Sequence, residues 1–130
     1  MMESDSVTVI APVFERADAR GTFIEAVNAG HWESLAYGTM GAGHVMGQHY
    51  HRETVVFFFV TRGQADITIE NIETKRQQFV TLHAREGTLL RVNHAHHIKF
   101  AVETDYLLMK SQAYSNENPD TYHYDVTPAS

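Results

Sequence analysis

Gly41-Ala42-Gly43-His44-Val45-Met46-Gly47-Gln48-His49-Tyr50-His51 is the stretch from which the rest of the chain is read. It closes on His49-Tyr50-His51, two imidazoles spaced by two residues, and an extended strand sends both to one face. A second group, His94-Ala95-His96-His97, follows about 45 residues later. Six of the nine histidines fall within 44–51 or 94–97. Imidazole is the side chain whose ordinary pKa, about 6.5, lies near neutrality, so such a concentration points to proton transfer or metal binding. His97 follows a turn-like segment, and a neighbouring strand is expected to bring it beside His49 and His51. His97 and Lys99 share a parity, so both are expected to point inward.

The surrounding pattern is a series of short β-rich runs divided by turn signals. The runs are 7–14, 22–27, 34–39, 44–51, 55–61, 65–70, 77–82, 88–92, 97–102, 106–111 and 122–126. Ala65, Ile67 and Ile69 alternate with Asp66, Thr68 and Glu70, which predicts a strand with one buried face. Gly63, Gly87 and the group Gly41, Gly43 and Gly47 fall between or beside the runs, where tight turns are expected. No segment keeps a 3.6-residue period for ten residues, and 25–31 is the best helical candidate. About ten antiparallel strands in one small all-β domain predict a sandwich or barrel. Val55-Val56-Phe57-Phe58-Phe59-Val60 is too continuously apolar for a strand with a wet face. It is either a central strand buried on both sides or an edge covered by a second subunit, and it favours a homodimer.

At 130 residues the chain is expected to be one domain, with a core over about 7–126 and a frayed tail at 127–130. A net charge of −6 with scattered basic residues argues against nucleic acid as a partner. With no cysteine, any metal site must use histidine and carboxylate. No leader-like or membrane-length apolar stretch is read, so the expectation is a cytoplasmic protein with no membrane partner.

Gly41, Gly47, the His49/His51 pair and Gly63 together resemble the first signature of a cupin, and Gly87 with His97 resembles the second. The resemblance implies a single-domain jelly-roll barrel, in keeping with the strand count. The carboxylate that usually follows the histidine pair is missing, since Val55 and Val56 occupy its positions. Asp18-Ala19-Arg20-Gly21-Thr22-Phe23-Ile24-Glu25 is similar to the entry segment of sugar-nucleotide epimerases. Asn118-Pro119-Asp120-Thr121-Tyr122 through Val126 resembles the end of the cupin domain of capsular-polysaccharide reductase/epimerases. Gln48-His49-Tyr50-His51-Arg52 resembles a segment of dTDP-4-keto-6-deoxyglucose 3,4-ketoisomerases.

That branch of the cupins implies an isomerase or epimerase acting on a nucleotide-linked 4-keto-6-deoxy sugar. The shared step removes a proton alpha to a ketone, and the enolate must be stabilised while a base works. By resemblance His49 is the base and His51 orients or relays. His97 and Lys99 face the oxyanion, and Tyr106, Tyr114 and Tyr124 are candidates to return the proton. Arg20 and Glu25 match positions near the mouth of the site. Arg52, Arg62, Arg91 and Tyr114 complete the candidates for binding substrate, the arginines because guanidinium grips phosphate oxygens in pairs.

The reading requires no cofactor. Its alternative is a divalent metal, Zn or Fe, on His49, His51 and His97, with His94 or His96 as a fourth ligand. Other outcomes compatible with the residues are a metal-free cupin dehydratase acting on a nucleoside or sugar carbonyl compound, a three-histidine oxygenase, and a non-catalytic sugar-binding cupin. The expected partner is a nucleotide sugar or nucleoside.

Overall fold

A computed structural model of the chain describes residues 7–129. Residues 1–6, part of the stretch read for a leader, and Ser130 of the tail lie outside them. The described residues form eleven strands: β1 (Phe14–Asp18), β2 (Gly21–Glu25), β3 (Ser34–Met40), β4 (Val45–Tyr50), β5 (Val56–Arg62), β6 (Gln64–Asn71), β7 (Gln77–His83), β8 (Glu86–Leu90), β9 (His94–Lys99), β10 (Thr104–Lys110) and β11 (Tyr122–His123). All pair antiparallel. One sheet runs β3-β10-β5-β8, a second β11-β4-β9-β6-β7, and β1-β2 form a hairpin apart from both. The all-β expectation holds. No helix occurs among the described residues, so none is long and apolar enough to cross a membrane.

Period-2 alternation places the core between the two larger sheets. Val56, Phe58 and Val60 from β5 meet Ala65, Ile67 and Ile69 from β6, with Val80, Leu82, Leu90, Ile98 and Phe100 filling the remainder. Burying each large aliphatic or aromatic side chain there stabilises the fold by about 1.5–3 kcal/mol. β5 lies between β10 and β8, which settles the two readings of the apolar run in favour of a central strand. Phe57 and Phe59 face away from that core yet are also buried, and the Trp32 ring lies 6.3 Å from that of Phe57.

Trp32 and the residues before it account for the missing helix. Val27, Ala29, Gly30 and Trp32 line the outer side of β5 with Phe57 and Leu89, so residues 26–32 run as a covering strap. Gly30 has φ +92, outside the helical region. The run predicted at 7–14 is likewise mostly unpaired. Phe14 opens β1 opposite Glu25, Ile10 makes an isolated bridge to Gly87, and Pro12, which has no N–H to donate, lies between them. The tail expected to fray is tied down at two points. Gln77 donates to the Thr127 carbonyl at 2.9 Å and accepts from the Ala129 N–H at 3.1 Å.

Candidate functional site

β4 and β9 lie side by side and carry the two histidine groups to one end of a cavity of about 280 Å³ between the sheets. Its walls include Met46, His49 and His51 from β4 and its exit, His96 and Ile98 from β9, Val56 and Phe58 from β5, and Leu108 and Lys110 from β10. The period-2 reading of His49 and His51 holds, with ring centroids 5.1 Å apart.

The third ring belongs to His96. It lies 4.7 Å from His49 and 6.1 Å from His51, and one nitrogen of each ring falls within 4.8 Å of the others. His97, the residue expected here, occupies the other face of β9, where it is half-buried and pairs with Gly47 and Thr68. Lys99 shares that outer face and is exposed. The cause is register: β9 begins at His94, three residues before the expected start, and His94, His96, Ile98 and Phe100 point inward. A shift of one residue exchanges the faces of every side chain in a strand.

The close approach of β4 to β9 depends on a bulge. Pairing slips between Gly47 and His49, and Gly47 and Gln48 take φ of +101 and +63. A Cβ at position 47 would lie 2.4 Å from the His96 carbonyl oxygen and 2.9 Å from its ring, so glycine lets His96 reach the cavity.

His51 is held from behind. Its Nδ1 lies 2.6 Å from the Asp120 carbonyl, which can only accept, so Nδ1 carries a hydrogen and donates it there. Asp120 is fixed in turn. Its carboxylate accepts from the N–H groups of Arg52, Glu53 and Thr54 and from the Thr54 hydroxyl. Burial alone would raise the Asp120 carboxyl, but these donors outweigh it and hold the group below its ordinary pKa.

His49 is half-buried and its pKa is lowered, first by loss of solvent and next by the neighbouring His51. His96 is pushed down to about 3 by burial first, with His49 and His51 adding to it. Both rings are therefore neutral near pH 7, with lone pairs free to accept a proton or a metal. Among the described residues, His96 Nδ1 is buried with no hydrogen-bond partner.

The other candidates are spread over the molecule. Tyr114 is largely exposed but lines the cavity mouth with Thr121. Tyr106 does not line the cavity; its ring stacks on Phe58 and Phe100 at 5.5 and 6.3 Å as part of the packing between the sheets. Tyr124 donates to Glu70 and accepts from Lys75, away from the histidines. Arg20 is exposed and doubly bonded to Asp18 at the β1-β2 turn, and Glu25 ends that hairpin in solvent. Arg52 lies over the Tyr122 ring at 4.2 Å, and Arg62 pairs with Asp105 and Glu103. Arg91 follows β8 and does not line the cavity. Glu53 receives a hydrogen bond from Asn118 at 3.2 Å and is likewise absent from its walls.

Sequence reasoning missed Lys110 and Thr121, and it offered His96 only as an alternative fourth metal ligand rather than as the third ring. A signal for Lys110 was present, since it continues the alternation of Tyr106 and Leu108, both packed against the core.

Comparison with known proteins places this architecture. The profile of a family described as the polysaccharide biosynthesis C-terminal domain matches residues 16–122. A UDP-2-acetamido-2,6-beta-L-arabino-hexul-4-ose reductase of Pseudomonas aeruginosa is 26% identical over 129 residues, covering 96% of this chain and 34% of that protein. The chain thus spans about a third of the length of that relative. A dTDP-4-dehydrorhamnose 3,5-epimerase from Sulfolobus tokodaii superposes with TM-score 0.78 at 15% identity, over 93% of this chain and 79% of its own. The QdtA 3,4-ketoisomerase from Thermoanaerobacterium thermosaccharolyticum, in complex with TDP, gives 0.73 at 16% identity over 92% and 88%. At such identities the structural likeness establishes the cupin jelly-roll fold. The resemblance drawn from 18–25, 41–51 and 118–126 is borne out.

Proposed function

The chain belongs to the polysaccharide biosynthesis C-terminal domain family, and on that premise we propose that it is an enzyme removing the proton alpha to the ketone of a nucleotide-linked 4-keto-6-deoxy sugar. The observation carrying this reading is the convergence of three imidazoles in a cavity whose walls contain no carboxylate. His49 is the general base. It lies between the other two rings, and its lowered pKa leaves it unprotonated at neutral pH. His51 presents Nε2 to the same space from a fixed tautomer and relays or orients. Tyr114, at the mouth, is placed to return a proton. A volume of about 280 Å³ suits a sugar ring rather than a whole nucleotide sugar, so the nucleotide lies outside, past Tyr114 and Thr121.

The test is incubation of dTDP- and UDP-linked 4-keto-6-deoxyglucose with the protein in D₂O, followed by mass spectrometry and NMR. Deuterium entering alpha to the ketone is expected, and His49→Gln should slow it by about 10²–10⁴-fold. Undiminished exchange in His49→Gln would remove His49 from the role. Retained substrate mass, apart from deuterium, indicates epimerisation or ketone migration, whereas loss of water indicates a dehydratase.

A second reading places a divalent metal on His49, His51 and His96, favoured by the unpartnered His96 Nδ1. The donor set fits Zn²⁺ or Fe²⁺ in type and number. Bond lengths near 2.0–2.1 Å need the nitrogens roughly 3.4 Å apart, so the rings must close from their present spread. A metal would polarise the carbonyl, and His49 would then hold it rather than take the proton. Metal analysis of untagged protein decides between the two.

The protein also reads as a homodimer, now on different grounds. Leu35 and Tyr37 of the edge strand β3 are 65% and 85% exposed. Light scattering on the purified chain checks this.

A further inference from the structure

The cavity that gathers three imidazoles also holds one lysine. Lys110 is the last residue of β10, paired with Val56 of β5 on one side and Ser34 of β3 on the other. Tyr106 and Leu108 precede it on the same face and pack against the core, so the strand's alternation aims Lys110 between the sheets. There it shares the cavity wall with His49, His51, His96 and Tyr114.

Three facts make the placement unusual. Neither Asp nor Glu lines this cavity, although the chain as a whole carries a net charge of −6. Asp120 lies beside Lys110 at the mouth, and its carboxylate is already taken by four donors from residues 52–54. Among the described residues no ion pair or hydrogen bond engages the Lys110 ammonium. The remaining walls, which include Met46, Val56, Phe58, Leu90, Ile98 and Leu108, offer no counter-charge. A half-buried ammonium without a partner is an unfavourable arrangement for stability alone. It becomes favourable when an anion forms beside it in a space with few competing waters.

We propose that Lys110 is a catalytic residue that pairs with the enolate oxygen formed when His49 takes the alpha proton. This rests on the function proposed above and adds the group that makes the carbon acid strong enough to react. In the step, the C–H bond breaks and its proton goes to the His49 nitrogen facing the cavity. Its electron pair becomes the new C=C bond, and the carbonyl π pair moves to oxygen. The products are imidazolium and an enolate held by the ammonium, which stays protonated throughout. Reprotonation at carbon reverses the flow. Lysine at position 110 thus replaces Lys99, which projects to the outside of the other sheet.

The experiment compares wild type, Lys110→Met, Lys110→Arg and Lys99→Met in the D₂O exchange assay with the same dTDP- and UDP-linked 4-keto-6-deoxyglucose. Melting curves check folding, and calorimetry measures nucleotide-sugar affinity. Lys110→Met keeps the length of the side chain and should lower the exchange rate by about 10²–10³-fold, with affinity changed less than about threefold. Lys110→Arg keeps the charge and should retain at least roughly a tenth of the wild-type rate, and Lys99→Met should match wild type. Exchange within about threefold of wild type in Lys110→Met would overturn the assignment while leaving the His49 chemistry intact. Equal loss in Lys110→Met and Lys110→Arg, with both folded, would also overturn it, since charge would not be what matters. Absence of exchange in the wild type overturns the underlying reaction and this role together, so the two failures are told apart.

Discussion

His51 and His96 flank His49 in the same cavity and are equally buried, at 5% and 4% exposure, but they are held in opposite ways. His51 is anchored by polar contacts. Its Nδ1 donates to the Asp120 carbonyl, and the Asp120 carboxylate fastens the turn that follows β4. His96 is held by packing. Gly47 gives it room, burial keeps it neutral, and its Nδ1 has no partner. An imidazole bonded at one nitrogen presents the other in a fixed tautomer and direction. One held by packing keeps its position but carries an unmet polar group into the site. The difference teaches that the cavity is complete on the His51 side and unfinished on the His96 side, where a ligand has most to offer.

The largest expected effect comes from breaking the anchored side. Asp120→Ala leaves three N–H groups and a hydroxyl without their acceptor near a buried turn, and should cost about 3–5 kcal/mol in a denaturant melt. A loss under about 1 kcal/mol would show that water replaces the carboxylate and that the anchor is not what distinguishes His51.

Gly47→Ala attacks the packed side. The added methyl meets the His96 backbone at 2.4 Å in a conformation that disfavours side chains, so a loss of about 2–3 kcal/mol is expected. Calorimetric melting measures it, and an unchanged Tm would contradict the close approach of β4 to β9.

Titration separates the two rings more finely. The folded pKa of His96 is about 3, below the ordinary 6.5, so between these values the unfolded chain binds the extra proton. Stability from this group is therefore full above about pH 6.5 and falls as pH drops toward 3, by about 1.4 kcal/mol per pH unit. His49, also lowered, adds in the same direction. Asp120 acts lower, since a depressed carboxyl loses its contribution as pH falls below about 3.9. Urea melts from pH 7 to 4 should show the slope, and His96→Leu should flatten it; an equal slope in both proteins would mean that His96 is not the buried neutral group.

The smallest effect is assigned to His97, on the other face of β9. His97→Ala should change stability by less than about 1 kcal/mol and leave alpha-proton exchange within about threefold of wild type. A large loss of exchange would move the third histidine back to position 97.

Much of this was legible in the chain. The continuous apolar run 55–60 and the alternation in 65–70 gave the paired strands of the core, and His49-Tyr50-His51 contains its own parity, because one residue separates two of a kind. Asn118 to Val126 pointed to a family but not to a contact; the grip of Asp120 on residues 52–54 spans about 68 positions. Arg20 and Glu25 matched a motif yet stand in solvent, because the β1-β2 hairpin joins neither of the larger sheets.

What the amino-acid order determined by itself was the strand-rich character, the two inward imidazoles of β4 and its exit, and the family. Which of His96 and His97 turns inward was decided only by tertiary structure. His94-Ala95-His96-His97 places histidine on both faces of a strand, so its own alternation is silent, and the pairing of β9 with β4 and β6 sets the face. The same holds for Lys110 over Lys99: each sits on a strand with period-2 placement, and burial against the opposite sheet selects between them.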